Sequence, residues 1–152
     1  MHPETINEKT KSVLAKIAEL DFINDFYLAG GTALAIQLGH RASIDLDFFS
    51  SKKFSVQSLK SQLSRAGNLA VDYEDEDTLN GMLDEVKISF FHYGYDQIFN
   101  LIGYEGIFLA SERDIAAMKI DTISSRGSKK DFVDVWLTEQ IDADLKSYKQ
   151  QT

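Results

Sequence analysis

The sequence predicts a small α/β (α+β) domain, a mixed β-sheet packed with helices. Three observations carry that class. Apolar residues recur at helical spacing in some segments and alternate with polar residues in others. The two kinds of segment interleave along the chain, and in the middle several strand-like runs follow one another closely, so the sheet is expected to be mixed. The 152 residues suit a single domain, and the sole proline, Pro3, marks no internal linker.

Each element has its own signal. Ile6, Val13, Leu14, Ile17 and Leu20 form a helical stripe that predicts a first helix over Glu4–Leu20. Asp21–Asp25 is a connection, and Phe26–Leu28 reads as a brief strand. Ala29-Gly30-Gly31-Thr32 leads from it into a short helix, Ala33–Leu38, closed by Gly39. Ser43, Asp45 and Asp47 alternate with Ile44, Leu46 and Phe48, the period of a strand with one polar and one apolar face. After a loop at Ser50–Phe54, Val56, Leu59 and Leu63 mark a helix over Ser55–Arg65, ended by Gly67-Asn68.

Strands are expected at Leu69–Tyr73, Leu79–Leu83 and Val86–Phe91, with five acidic residues among the six from Asp72 to Asp77. Asp96–Tyr104 reads as a loop or short helix, and Gly106–Ala110 as an edge strand. Ser111 and Asp114 have capping-box spacing, which predicts a helix to about Ser124. A break at Ser125–Gly127 precedes a last helix over Ser128–Glu139 and a polar tail.

Composition narrows the function. The chain is 43% hydrophobic and 11% aromatic, which argues against general disorder. It has no cysteine, so disulfides, thiolate nucleophiles and thiolate metal sites are excluded. The composition fits a cytoplasmic protein. The polar, charged start does not resemble a signal peptide, and no apolar run reaches the roughly 20 residues of a membrane span. With 24 acidic and 16 basic residues, the net charge is −8, which disfavours duplex DNA as a partner.

Asp45 and Asp47 lie two apart on a predicted strand, so their carboxylates share a side and repel each other. A hard divalent cation, magnesium or manganese, would relieve that repulsion; a solvated strand face is the alternative. Gly30-Gly31-Thr32, between strand and helix, can let a phosphate approach the first helical amides, or can be a plain turn. Neither a Walker lysine nor a third dinucleotide-loop glycine is present. Lys119 borders a buried stripe, where it can snorkel or meet a phosphate. Arg126, Lys129 and Lys130 form a compact basic cluster. Asp131 and Asp134 near a predicted helix start also suit the helix dipole alone.

The stretch Leu28-Ala-Gly-Gly-Thr-Ala-Leu-Ala-Ile-Gln-Leu-Gly-His-Arg-Ala-Ser-Ile-Asp-Leu-Asp-Phe-Phe49 closely resembles the AbiEii/AbiGii abortive-infection toxin family, of the DNA polymerase beta-like nucleotidyltransferase superfamily. Lys119 to Asp134, followed by Trp136-Leu137, is similar to a second family block. The likeness covers about Phe26 to Leu137. It implies a nucleotidyltransferase fold and transfer of a nucleoside monophosphate from NTP to a hydroxyl of RNA (tRNA included) or of a protein, with Mg2+ or Mn2+. By the same resemblance, Asp45, Asp47, Lys119 and Asp131 are the catalytic set, and Asp45 and Asp47 the metal ligands. Gly30, Gly31, Thr32, Arg41, Ser43 and Lys130 are the nucleotide-binding set. A cognate antitoxin is the implied protein partner. Family members often carry a further helical region, so a minimal or truncated form is expected.

The wider superfamily implies a third carboxylate on a later strand. Here that strand is Glu85–Phe91, and the matching position is Ser89 or Lys87, neither acidic. A nucleotide-binding or partner-binding protein of the same fold, weak or inactive in transfer, is therefore the alternative to an active enzyme. A nucleic-acid-binding module without chemistry is a third reading, which the net charge opposes.

Overall fold

The computed structural model describes residues 1–118 except residues 41, 95, 96 and 98. The chain opens with a 3₁₀ turn at Pro3–Thr5, then helix α1, Glu8–Ala18. The expected single helix over Glu4–Leu20 is thus divided. The cause is Asn7, whose side chain accepts from the Thr10 amide at 2.8 Å and caps α1 three residues after the expected start at Glu4. Strand β1, Tyr27–Ala29, runs directly into helix α2, Gly30–Leu38. Gly39 ends α2 with φ +67°, a left-handed cap that suits glycine. Strand β2 is Leu46–Ser50 and helix α3 is Val56–Ala66, the latter capped by Ser55. Strands β3 (Leu69–Glu74), β4 (Thr78–Leu83), β5 (Val86–His92), β6 (Ile102–Tyr104) and β7 (Ile107–Leu109) follow.

These strands form one sheet in the order β3-β4-β5-β2-β1-β7-β6. The pairs β2–β5 and β1–β7 are parallel, and the other four are antiparallel, so the sheet is mixed as expected. Two expectations are corrected here. The segment expected as an edge strand at Gly106–Ala110 is β7, which lies inside the sheet between β1 and β6. The edge is β6, within the stretch expected to be a loop or short helix. Three residues are too few to show a period of two, so β6 had no local signature.

One face of the sheet makes the core. Leu46, Phe48, Leu79, Leu83, Ile88 and Phe90 are buried there. Helix α1 packs on β5, and α3 on β3 and β4, through the stripes Val13-Leu14-Ile17 and Val56-Leu59-Leu63. Phe90 stacks on Phe48 at 5.1 Å and meets Phe22 and Phe26 edge-on. The opposite face carries Asp47, Phe49, Ser89, Phe91, Asn80 and Lys87, because alternate residues of a strand point to opposite sides.

Ser111 caps the helical stretch over residues 112–118, as its capping box predicts. Its hydroxyl accepts from the Asp114 amide at 3.2 Å, and the Asp114 carboxylate also accepts from the Phe99 amide at 2.9 Å. The expected continuation to Ser124, the break at Ser125–Gly127 and the helix over Ser128–Glu139 lie outside the described residues. Among the described residues no helix is long and apolar enough to cross a membrane.

Candidate nucleotide site at the head of α2

Two chain segments meet at this site, the head of α2 and the segment carrying Asp45 and Asp47. Gly30 joins them. Its φ is +69°, in the left-handed region, and a Cβ there would lie 2.7 Å from Asp47 Oδ2. The absent side chain lets the Asp47 carboxylate sit over the first turn of α2. Gly30 and Gly31 were expected to precede the helix; they form its first turn instead. Ala29 occupies the N-cap and supplies no side-chain hydrogen bond to the leading amides of α2. The positive end of the helix faces a carboxylate and can accept further negative charge.

Thr32 and Ser43 hold the aspartate segment in place. Both are buried, and their hydroxyls lie 2.7 Å apart. The Thr32 hydroxyl donates to the backbone carbonyl of Asp45. That bond commits its proton, so Ser43 is the donor between the two hydroxyls. The Ser43 amide donates to Thr5 O at 3.1 Å. This fastening explains why the strand expected from Ser43 begins only at Leu46. Residue 43 is tied to the N-terminal turn and to α2, and β2 joins its neighbours three residues later.

Asp47 is in strand β2 and half-buried; Asp45 immediately precedes the strand and is also half-buried. Across the parallel β2–β5 pair, Asp47 stands level with Ser89. The row continues through Asn80 on β4 to Tyr73 on β3, and through Ala29 on β1 in the other direction. The two positions considered for a third carboxylate are therefore separated by the fold. Ser89 is the residue beside Asp47, buried at 4% exposure, and Lys87 stands one row away on the same face, exposed. Asn80 Oδ1 is buried with no hydrogen-bond partner among the described residues. Sequence reading passed over Asn80; a lone asparagine in a strand carries no signal until its neighbours are known.

The donor chemistry fits a hard divalent cation. Two aspartates two positions apart provide oxygen ligands, and among the described residues no group of three or more His, Asp or Glu side chains forms a complete cage. That is the donor set expected for an ion that keeps several waters and shares substrate phosphates. Beside the carboxylates lies an aromatic row, Tyr27, Phe49 and Phe91, stacked at 6.0 and 5.1 Å. Burial raises the Tyr27 phenol far above its ordinary pKa, with the charges of Tyr93 and Asp114 adding to the effect, so it stays protonated. Gln97 donates to its oxygen at 2.8 Å.

The other expected site residues, Arg41, Lys119, Lys130 and Asp131, lie outside the described residues, as do Arg126, Lys129 and Asp134.

Comparison with known proteins agrees with this architecture. An uncharacterized protein of Aquifex aeolicus (strain VF5) is 44% identical over 135 residues, covering 86% of this chain and 66% of the relative. The chain thus spans slightly less than two-thirds of that relative's length. The crystal structure of JHP933 from Helicobacter pylori superposes with a TM-score of 0.56 at 18% identity, over 86% of this chain and 66% of that one. The Megavirus polyadenylate synthase superposes with a TM-score of 0.57 at 16% identity, over 86% of this chain and 31% of that one. At such identities the likeness is one of fold, a nucleotidyltransferase fold. The profile described as "Nucleotidyl transferase AbiEii toxin, Type IV TA system" matches residues 12–107, well over half of the chain. With that match on the motif-bearing strands and helices, the chain belongs to the AbiEii nucleotidyl transferase toxin family.

Proposed function

We propose that this chain is a metal-dependent nucleotidyltransferase that moves a nucleoside monophosphate from NTP to a hydroxyl of an RNA end, tRNA included, or of a protein. The observation that carries this reading is the close approach of Asp47 to Gly30, with the carboxylate lying over the first turn of α2. A phosphate and a cation-binding carboxylate would there be neighbours. Residues 1–152 act in this reading as a single minimal nucleotidyltransferase-like domain.

The residues divide the work. The leading amides of α2, at Gly30 and Gly31, take phosphate oxygens. Thr32 and Ser43 act through the backbone of Asp45, which their hydroxyls hold in place. Asp45 and Asp47 hold Mg2+ or Mn2+, which when bound offsets the charge that gathers on the departing pyrophosphate. The acceptor hydroxyl oxygen forms a bond to the α-phosphorus as the bond to the pyrophosphate oxygen breaks, and the hydroxyl proton leaves to solvent. On the family resemblance, Arg41, Lys119 and Lys130 add phosphate contacts, and Asp131 supplies a further carboxylate. A cognate antitoxin is the proposed protein partner, from the type IV toxin–antitoxin description of the family.

A second reading has one specific observation in its favour. Ser89, one of the two positions at which the resemblance implies a third carboxylate, stands beside Asp47. A serine hydroxyl is a poor base at neutral pH, so a protein that binds nucleotide without transferring it would keep this site.

The test is transfer of label from each of four α-labelled NTPs, with magnesium or manganese, to total RNA and to bulk protein. Label should reach one acceptor and vanish in the Asp45→Ala/Asp47→Ala protein. Magnesium-dependent NTP binding without any transfer would favour the second reading. Absence of both would overturn the nucleotide site.

A further inference from the structure

The face of the sheet that bears Asp47 holds one lysine. Lys87 is the sole lysine or arginine in the seven described strands. Strands β2 and β5 are parallel with Leu46 level with Ile88, so Lys87 and Asp45 are the residues that immediately precede the first pair of this ladder on the two strands. It lies two residues before Ser89, on the same face, and its side chain is exposed.

Two ordinary explanations for such a lysine do not apply. Lysines often guard the open edge of a sheet, but β5 is flanked by β4 and β2. Lysines also pair with nearby carboxylates, as Lys9 does with Glu85, Lys16 with Asp84 and Lys60 with Glu74. Lys87 makes no hydrogen bond or ion pair through its ammonium among the described residues. Its four-carbon stem lets the charge swing over the row that holds Asp47 and Ser89.

We infer that Lys87 binds the phosphate chain of the nucleotide and supplies, from the protein, positive charge opposite the two aspartates. The inference rests on the nucleotidyltransferase reading of the site. Its physical basis is charge. A site with two carboxylates and a neutral Ser89 carries one negative charge fewer than a three-acid site, so it attracts a second cation less strongly. A triphosphate entering it still brings more negative charge than one divalent ion offsets. An ammonium carried by the adjacent strand meets that need, and lysine is a common point-charge ligand for phosphate.

The test is calorimetric titration of the 152-residue chain with α,β-methylene analogues of the four NTPs, each with magnesium, and with inorganic tripolyphosphate. Lys87→Ala should weaken the best-bound analogue and tripolyphosphate alike by about tenfold or more, the usual loss for a charged hydrogen bond. Lys87→Arg should stay within about threefold of wild type, since it restores the charge with a different geometry. Circular dichroism should show both variants folded, as an exposed strand position allows. If Lys87→Ala binds both probes like wild type while Asp45→Ala/Asp47→Ala does not, the Lys87 assignment falls and the site stands. If Lys87→Ala loses the nucleotide but keeps tripolyphosphate, the lysine does not serve the phosphates and the inference is overturned. If the folded wild type binds neither probe, the nucleotide site and Lys87 fall together.

Discussion

Gly30 is the residue on which the candidate site turns. A side chain there would meet two obstacles, the left-handed backbone and the Asp47 carboxylate 2.7 Å away. An L-residue in that conformation costs about 1–2 kcal/mol before any clash is counted. Gly30→Ala should therefore lower stability by at least that amount in a urea melt. It should also weaken nucleotide binding, because the displaced element is Asp47 itself. A variant that melts and binds like wild type would show that carboxylate and helix head are not coupled. Neighbouring Thr32 shows a different kind of dependence. Its hydroxyl is the link between α2 and the Asp45 backbone, so its part in the site is to hold the aspartates.

At the scale of elements, the β4–β5 hairpin fixes the level at which Ser89 and Lys87 stand. Its two-residue turn, Asp84-Glu85, has positive φ at both positions, as the right-handed twist of a tight hairpin requires. Asp84 ties the turn down. Its carboxylate accepts from Lys16 on α1 and, at 2.9 Å, from the Asn68 amide. The hydrogen bond from Lys16, followed by that from Asn68, holds its pKa below the ordinary value. A depressed carboxylate adds stability above its unfolded pKa, about 3.9, and loses it as the pH falls through the folded value. Asp84→Asn keeps a residue tolerant of positive φ and removes the charge. It should melt below wild type at pH 7, and the gap should narrow below pH 4. A gap of constant size down to pH 2 would exclude the ionised carboxylate as its source.

Across the whole molecule, the core face and the site face are two sides of the same strands. Phe90 lies in β5, one residue from Ser89, and points the other way into Phe22, Phe26 and Phe48. Phe90→Ala should cost about 3–5 kcal/mol, the usual loss for a buried aromatic. Because β5 carries both Lys87 and Ser89, nucleotide affinity should fall as the core loosens, well below the unfolding midpoint. Chemical denaturation followed in parallel by far-UV circular dichroism and nucleotide binding would check this. Coincident transitions would mean that site and core open as one unit.

The sequence by itself determined whatever depends on local spacing. The alternation from Leu46 through Phe48, the α3 stripe and the Ser111–Asp114 capping box each repeat a short-range geometry, and each is present in the structure. The earlier part of the alternation is reversed, with Ser43 buried and Ile44 exposed. The Gly-Gly-Thr and Asp-x-Asp motifs likewise marked the segments that meet at α2. Tertiary structure decided what depends on pairing between distant residues. It moved the start of β2 from Ser43 to Leu46, because Ser43 is held by Thr5 and Thr32. It made β6 the sheet edge and put β7 inside. It set Ser89 beside Asp47 and Lys87 one row away, a choice two residues apart that period-two alternation cannot make. Strand register is fixed by contacts across the sheet, and those bring together residues some forty positions apart in the chain, beyond the reach of any local pattern.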